Sequence, residues 1–199
     1  LGTGPLQAGY AKATIQSGGP PYGVSVFSLS RDGTIVSEAG VPASIPTRSA
    51  RLFVDYRTQA LVPPLSLRAG PVDIATGIAI VNPGTTLANI TYTLRDTQGT
   101  VLTVGHGTLA AGAHRARYIY EFRELAPDFV IPPDFATRIK FGSLEIASDQ
   151  PLSILALRLT INQRSETLLT TVPVADMSQP TSSGPLFFPH IVDGGGFST

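Results

Sequence analysis

The chain has 199 residues, a formal net charge of zero, 42% hydrophobic residues and only 14% charged residues. This composition excludes a disordered, highly charged chain, and the scattered basic residues form no patch that would attract nucleic acid or anionic lipid. Because cysteine is absent, disulfides, thiolate catalysis and cysteine-ligated metal sites are excluded as well.

No apolar run is long enough to span a bilayer, so we expect no membrane insertion. The sequence begins at Leu1, and no charged-then-apolar leader precedes it. We interpret it as a processed chain or an excised fragment of a secreted or cell-surface protein.

Short alternating runs between glycine- and proline-rich turns predict an all-β chain with little or no helix. Residues 31–33 (Arg-Asp-Gly) are typical of a hairpin turn. In residues 89–95, Ile90, Tyr92 and Leu94 share one face, which is the period of a strand. Many short strands of this kind are typical of a β-sandwich. The predicted strands are residues 11–16, 23–30, 34–37, 51–56, 74–81, 89–95, 100–104, 115–120, 142–147, 153–161 and 167–172.

One stretch has helical character. Residues 120–125 are followed by Pro127 and open a connection that runs to about Arg138 and contains Pro132 and Pro133. We expect a single helical turn or an irregular loop that covers part of the sandwich.

An internal repeat is present at a spacing of 131 residues. Residues 10–43 align without a gap on residues 141–174, and Ile15 falls on Ile146. Val24 and Val26 fall on Leu155 and Leu157, which we expect to face the core in the same phase. Each copy would form three strands joined by the same turns.

The repeat divides the chain into unfinished and complete units. Residues 193–199 resemble the lead-in at residues 73–76. We therefore predict an Ig-like partial sandwich, a connector, a complete Ig-like sandwich, and a second connector that starts a further one. The predicted bounds are 1–44, 45–64 (connector strand or linker), 65–178 and 179–199.

Three sequence segments resemble segments of a known family: residues 36–43 (VSEAGVPA), 76–83 (TGIAIVNP) and 188–199 (FPHIVDGGGFST). They are similar to tandem Ig-like β-sandwich modules in large secreted or surface proteins of Acidobacteria and similar soil or thermal bacteria. The resemblance implies sandwich repeats with structural or adhesive roles outside the cell. It implies no catalytic residues.

The sequence contains few residue patterns that are typical of catalytic or metal-binding sites. His106, His114 and His190 form no H-x-x-x-H pair, so we predict no metal site and no cofactor. No G-x-S-x-G elbow is present, and we predict that the chain is not an enzyme. The glycines of residues 105–107 and 194–196 are interpreted as supplying turns with positive φ or a bulge. Asp193 could ligate calcium, but one acid supplies too few of the six to eight oxygen ligands that calcium needs.

Acids of the long connection have arginines close in sequence. We favour solvated ion pairs in a packing loop over a glycosidase-like pair, because neighbouring cations keep carboxylates ionised. The group consists of Glu121, Glu124, Asp128 and Asp134, with Arg117, Arg123 and Arg138.

Two functions follow from these patterns. The first is a structural protein that builds a stalk, surface layer or filament from copies of itself or adjacent repeats, with strand donation as one route. The second is an adhesin or carbohydrate-binding accessory module for a surface glycan or matrix ligand, whose platform would use Tyr10, Tyr22, Tyr56 or Tyr118. The predicted inter-subunit or inter-domain strand comprises Leu186, Phe187, Phe188, Ile191, Val192 and Phe197.

Overall fold

The computed structural model describes residues 8–19, 23–61, 70–180, 184–185 and 187–192. It confirms the predicted all-β architecture, with antiparallel strands throughout and only two short helical segments. In these ranges no helix is long and apolar enough to cross a bilayer. The described strands are β1 (Val24–Arg31), β2 (Thr34–Pro42), β3 (Thr47–Asp55), β4 (Arg57–Ala60), β5 (Val72–Val81), β6 (Ala88–Arg95), β7 (Val101–Leu109), β8 (His114–Tyr118), β9 (Phe141–Ile161), β10 (Thr167–Val172) and β11 (Val174–Asp176).

Two sheets share the long strand β9. Its first half pairs with β3 and β6, and this sheet has the order β11-β3-β9-β6-β7. Its second half pairs with β5 and β10, and β8 and β4 pair with the other edge of β5. Pro151 lies where β9 leaves one sheet for the other, a position at which a missing N–H disrupts the ladder least. The two strands predicted for this region are therefore one.

The core lies between the two sheets. In β6, Ile90, Tyr92 and Leu94 are buried as predicted, and burial raises the pKa of the Tyr92 hydroxyl. Each sheet contributes alternate residues to one continuous apolar cluster. Among the core residues are Ala50, Leu52, Val54, Ile78, Ile80, Leu144, Ile146, Leu152, Ile154 and Ala156.

The predicted inward face of the last part of β9 is wrong. Ile154 and Ala156 are buried in the core, whereas Leu155 and Leu157 are half-buried on the outer face of the sheet. Both faces of this segment are apolar, so the sequence lacks the alternation of apolar and polar residues that would show which face lies inward.

The strand predicted within the connector at residues 45–64 is β3, and it belongs to the sandwich. β3 lies between β9 and β11, and its residues Ala50, Leu52 and Val54 are buried in the core. A further difference concerns residues 11–16, which form no strand and are exposed. The apolar residues of β3 find partners in the core, whereas residues 11–16 have no paired strand in the described part of the chain.

The long connection covers the outer edge of the first sheet. As predicted, it opens with one short helix, a 3₁₀ helix over Ile119–Glu124, and a π-helical turn over Phe135–Ile139 follows. Phe122, Phe129 and Phe135 are fully buried, so the connection is part of the core. At the free edge of β7, the Asp128 carboxylate of this connection accepts the His106 N–H and so occupies one backbone group that a further strand would need.

The glycines of residues 105–107 were expected in a turn but lie within β7. A Cβ on Gly107 would lie 2.1 Å from the Leu125 carbonyl oxygen, and one on Gly105 would lie 2.5 Å from Phe129 Cβ. These glycines therefore permit close approach of the covering connection.

Candidate functional site: the β1–β2 hairpin and an aromatic cluster

The first candidate site is the hairpin of β1 and β2, which stands outside the sandwich. Its strands pair from Val24 opposite Pro42 to Arg31 opposite Thr34. Asp32 and Gly33, with φ of 50° and 79°, form the two-residue turn that the sequence predicted. Two successive positive φ values are typical of a type I′ turn, whose twist matches that of paired strands.

From Val24 to Leu29 the hairpin has the same register as β9 and β10, and a register shift between Leu29 and Ser30 has no counterpart in that pair. Leu29 pairs with Ser37, and the residues 131 positions later, Thr160 and Leu168, pair in the same way. This agreement is consistent with the predicted repeat for these two strands, and the repeat itself stays a prediction; the turns differ, since two residues connect β1 to β2 and residues 162–166 connect β9 to β10. The repeat is not confirmed for the third strand of the unit, since residues 11–16 form none.

The β1–β2 hairpin and the β9–β10 pair differ in the strands that lie beside them. In the sandwich, β9 pairs with β10 on one side and with β5 on the other. In the described residues, β1 pairs only with β2, so its outer edge is open. Val24, Val26 and Phe27 are 64%, 57% and 45% exposed. An open edge rich in β-branched and aromatic residues favours pairing with another strand.

The hairpin is attached to the sandwich through β10. The Leu169 N–H donates to Ser37 Oγ at 2.8 Å, and the Thr171 hydroxyl donates to the Gly40 carbonyl. These contacts place β2 alongside β10 in the same direction, and Ala39 of β2 is buried. A two-stranded hairpin is only marginally stable by itself, so this attachment holds it in place.

The predicted inter-subunit segment lies partly within the described residues. Phe187, Phe188 and Ile191 are 84%, 76% and 67% exposed, and Val192 is half-buried. Residues 184–185 and 187–192 contain no strand. Leu186 and Phe197 lie outside the described residues, so a donated strand in this segment stays a prediction.

The second candidate site is an aromatic cluster, defined as Tyr56, Tyr118 and Tyr120. The Tyr120 ring stacks on Tyr118 with centroids 5.5 Å apart and contacts Tyr56 at 5.6 Å. The Tyr118 N–H donates to the Glu121 carboxylate at 2.9 Å, which fixes the start of the 3₁₀ helix. Burial and the nearby Glu121 charge raise the pKa of Tyr118.

A cleft of about 180 Å³ lies beside the cluster on the outer face of the second sheet. The ring of Tyr118 lies over Gly77, where an added Cβ would be 3.1 Å from ring carbons. Leu155, Leu157 and Leu169 contribute to the lining. The lining offers apolar surface with one hydroxyl (Tyr118), one carboxylate (Glu121) and one guanidinium (Arg117), which suits a small amphipathic ligand.

Of the tyrosines predicted for a platform, Tyr56 and Tyr118 come together, whereas Tyr10 is not in the cluster and Tyr22 lies outside the described residues. Tyr120, which joins the first two, was not predicted. The spacing of Tyr118 and Tyr120 at the end of a strand was the signal that could have identified it.

An ion-pair group near the cluster was also not predicted. Buried Asp55 accepts hydrogen bonds from Arg57 at 2.7 and 2.8 Å and from Arg158 at 3.0 Å. The Arg57 guanidinium lies 4.8 Å from the centroid of the Phe141 ring. These contacts pair the buried Asp55 carboxylate with two arginines and place one of them over an aromatic ring.

Two of the four acids of the long connection, Glu124 and Asp134, form ion pairs with arginines as predicted, whereas Glu121 accepts the Tyr118 N–H instead. Arg117 pairs with Glu124 at 2.6 Å, and Arg138 pairs with Asp134 at 2.5 Å. A further acid, Asp128, contacts His106 Nδ1 at 2.7 Å, and hydrogen bonds from His106 lower the pKa of that carboxyl. The described residues contain no cluster of three metal-binding side chains.

Comparison with known proteins adds no functional assignment. No protein-family model matches the chain, and no curated protein matches it. It is similar to a solved structure of Thermotoga maritima 1070, with 14% identity and a TM-score of 0.45 over 66% of this chain and 97% of the other. It is also similar to the Anabaena sensory rhodopsin transducer, with 16% identity and a TM-score of 0.39 over 57% of this chain and 89% of the other. At these values neither structure carries an argument about this protein.

Proposed function

We propose that this chain is a structural β-sandwich protein of the cell surface or extracellular space. It builds a stalk, surface layer or filament through contacts between copies of itself or adjacent repeats, and it carries out no catalysis. The observation that carries the proposal is the open edge of β1. Residues 24–29 of β1 pair with β2 in the register that β9 has with β10, and β9 is paired on both sides within the sandwich.

Further support comes from the contrast between the edges of the molecule. The edge strand β7 is covered by the long connection, and Asp128 accepts the backbone N–H of His106 there at 2.7 Å. β1 has only Arg31 as a charge and no proline within its bounds, so it lacks the devices that protect exposed edges. An unprotected edge in a molecule that protects another one favours a role in assembly.

Light scattering over a concentration series tests this proposal. The unaltered protein should increase in mean mass with concentration, because apolar edges associate. Val26→Lys should suppress the increase by placing a charge on the open edge. Leu87→Lys is the matched control, since Leu87 is 52% exposed in a loop away from the hairpin. A constant monomer mass for the unaltered protein would contradict self-association.

A truncated chain without residues 186–199 tests strand donation by the terminal segment. If that segment is donated, the truncation should reduce both the assembled mass and the thermal midpoint. Unchanged values would exclude this segment as the donor while leaving the edge of β1 as the site of assembly.

A second candidate function, binding of a surface glycan as an adhesin or accessory module, is favoured by the aromatic cluster. Tyr120 is 46% exposed, and aromatic faces stack on the apolar faces of sugar rings. Tyr120→Ala should abolish binding on a glycan array, whereas Tyr10→Ala, which changes an exposed tyrosine elsewhere, should not. An array with no signal for the unaltered protein would set this function aside.

A further inference from the structure

We infer that the open edge of β1 is the docking site for a strand of the β5 type, supplied by an adjacent repeat in which that strand is unpaired, since β5 of this chain is already paired on both edges. This inference rests on the proposed role in assembly and names the partner strand and its register. It follows from the shared register of the two hairpins, because the strand equivalent to β1 already has such a partner inside the sandwich.

The register can be worked out residue by residue. β5 runs antiparallel to β9, with Ala79 opposite Leu155 and Gly77 opposite Leu157. Subtracting the repeat spacing of 131 places Ala79 opposite Val24 and Gly77 opposite Val26. The remaining positions follow in the same order along β1.

The side chains of β1 fit this partner. On one face, the small residues Ala75, Gly77 and Ala79 of a β5-type strand would meet Ser28, Val26 and Val24, as they meet leucines in the sandwich. Both valines are more than half exposed, so this face has room for a partner.

On the opposite face, the same register brings apolar residues together. Ile74 would meet Leu29, and Thr76 would meet Phe27, whose ring is 45% exposed. Cross-strand pairs of β-branched and aromatic residues stabilise antiparallel sheets. The incoming strand would also satisfy the backbone groups of β1 that point away from β2.

The test uses a synthetic peptide with the sequence of β5, Ala79 replaced by cysteine, and lysines added at both ends for solubility. Because the protein contains no cysteine, the peptide can form a disulfide only with the one cysteine that is introduced, so the adduct shows which position of β1 it faces. Val24→Cys should form a disulfide adduct with the peptide in a glutathione buffer. Ser25→Cys is the matched control, since Ser25 is also exposed and points to the opposite face of the strand.

We expect at least about tenfold more adduct with Val24→Cys than with Ser25→Cys, because a disulfide needs Cβ atoms that face each other. A second pair, Val26→Cys with a Gly77→Cys peptide, should behave in the same way. Equal adduct at Val24 and Ser25, or no more than with a scrambled peptide, would overturn the inferred partner.

Failure of the inference is distinguishable from failure of the proposed function. If the whole protein associates in light scattering but the peptide shows no register preference, assembly stands and the β5-type partner is wrong. If the protein stays monomeric at every concentration and the peptide does not bind, both are wrong.

Discussion

Replacing Asn82 by alanine should destabilise the sandwich strongly, because this buried amide joins two connections at one end of the molecule. Asn82 is fully buried. Its Nδ2 donates to the carbonyls of Thr86 at 2.8 Å and Leu109 at 2.9 Å, and its Oδ1 accepts the Gly84 N–H at 3.0 Å. Alanine removes all three hydrogen bonds and leaves the carbonyl of buried Leu109 without this partner, whereas Gly84 and Thr86 are exposed to solvent.

The expected loss is about 2–4 kcal/mol, since three net hydrogen bonds contribute roughly 0.5–1.5 kcal/mol each and the lost partner of the buried Leu109 carbonyl adds to the cost. For a chain of this length, that loss corresponds to a fall of about 5–15 °C in the thermal midpoint. Urea denaturation followed by circular dichroism should show a lower midpoint with an unchanged slope.

Asn89→Ala is the matched control, because Asn89 is an exposed asparagine whose amide contacts Asp149 at 2.7 Å. Its loss should stay within about 0.5 kcal/mol, as for most surface sites. If Asn82→Ala costs no more than this control, the reasoning about the buried amide is refuted.

Three further predictions concern the core, the covered edge and pH. Ile154→Ala should lower the free energy of unfolding by about 2–5 kcal/mol, and Leu157→Ala on the outer face by clearly less, as measured in urea. Gly107→Ala should cost at least about 1–3 kcal/mol, because its methyl group would overlap the covering connection. Hydrogen bonds, first that of Thr47, lower the pKa of Asp176 to about 2. This stabilisation should therefore be present above pH 3.8 and be lost as the pH falls towards 2, and Asp176→Asn should flatten the thermal midpoint over that window.

Each of these has a contradicting outcome. Equal losses for Ile154→Ala and Leu157→Ala would mean that the two faces of β9 are misassigned. A Gly107→Ala protein as stable as the original would show that the connection does not lie against β7. An acid-induced decrease in thermal midpoint that Asp176→Asn leaves unchanged would assign the decrease to other carboxyls.

Much of the fold was predictable where the sequence has a clear period or turn. Ile90, Tyr92 and Leu94 alternate with polar residues, so one face of β6 could be assigned to the core. Asp32-Gly33 specifies a tight turn by its tolerance of positive φ, and the hairpin forms there.

Other features depend on contacts distant in sequence. Leu155 and Leu157 look like core residues because they are apolar. Which face of β9 is buried depends on how the sheet that contains this part of β9 packs against the other sheet. The glycines at 105 and 107 are typical of a turn. Their role in β7 becomes visible only when the backbone around Leu125 is placed against them.

The candidate sites were predictable in part. The 131-residue spacing predicted that the two hairpins share a register, and from Val24 to Leu29 they do. The open edge of β1 could not be predicted, since it depends on which strands pair with which. The aromatic cluster likewise needs Tyr56, which lies between β3 and β4, and Tyr120 from the long connection.

Hydrogen exchange of the β1 amides at increasing protein concentration tests the central claim most directly. We predict that alternate amides within Val24–Arg31 become protected as the concentration rises, because a second strand pairs with the open edge, while the amides of β6 keep constant protection. Exchange along β1 that is rapid and independent of concentration would contradict the account.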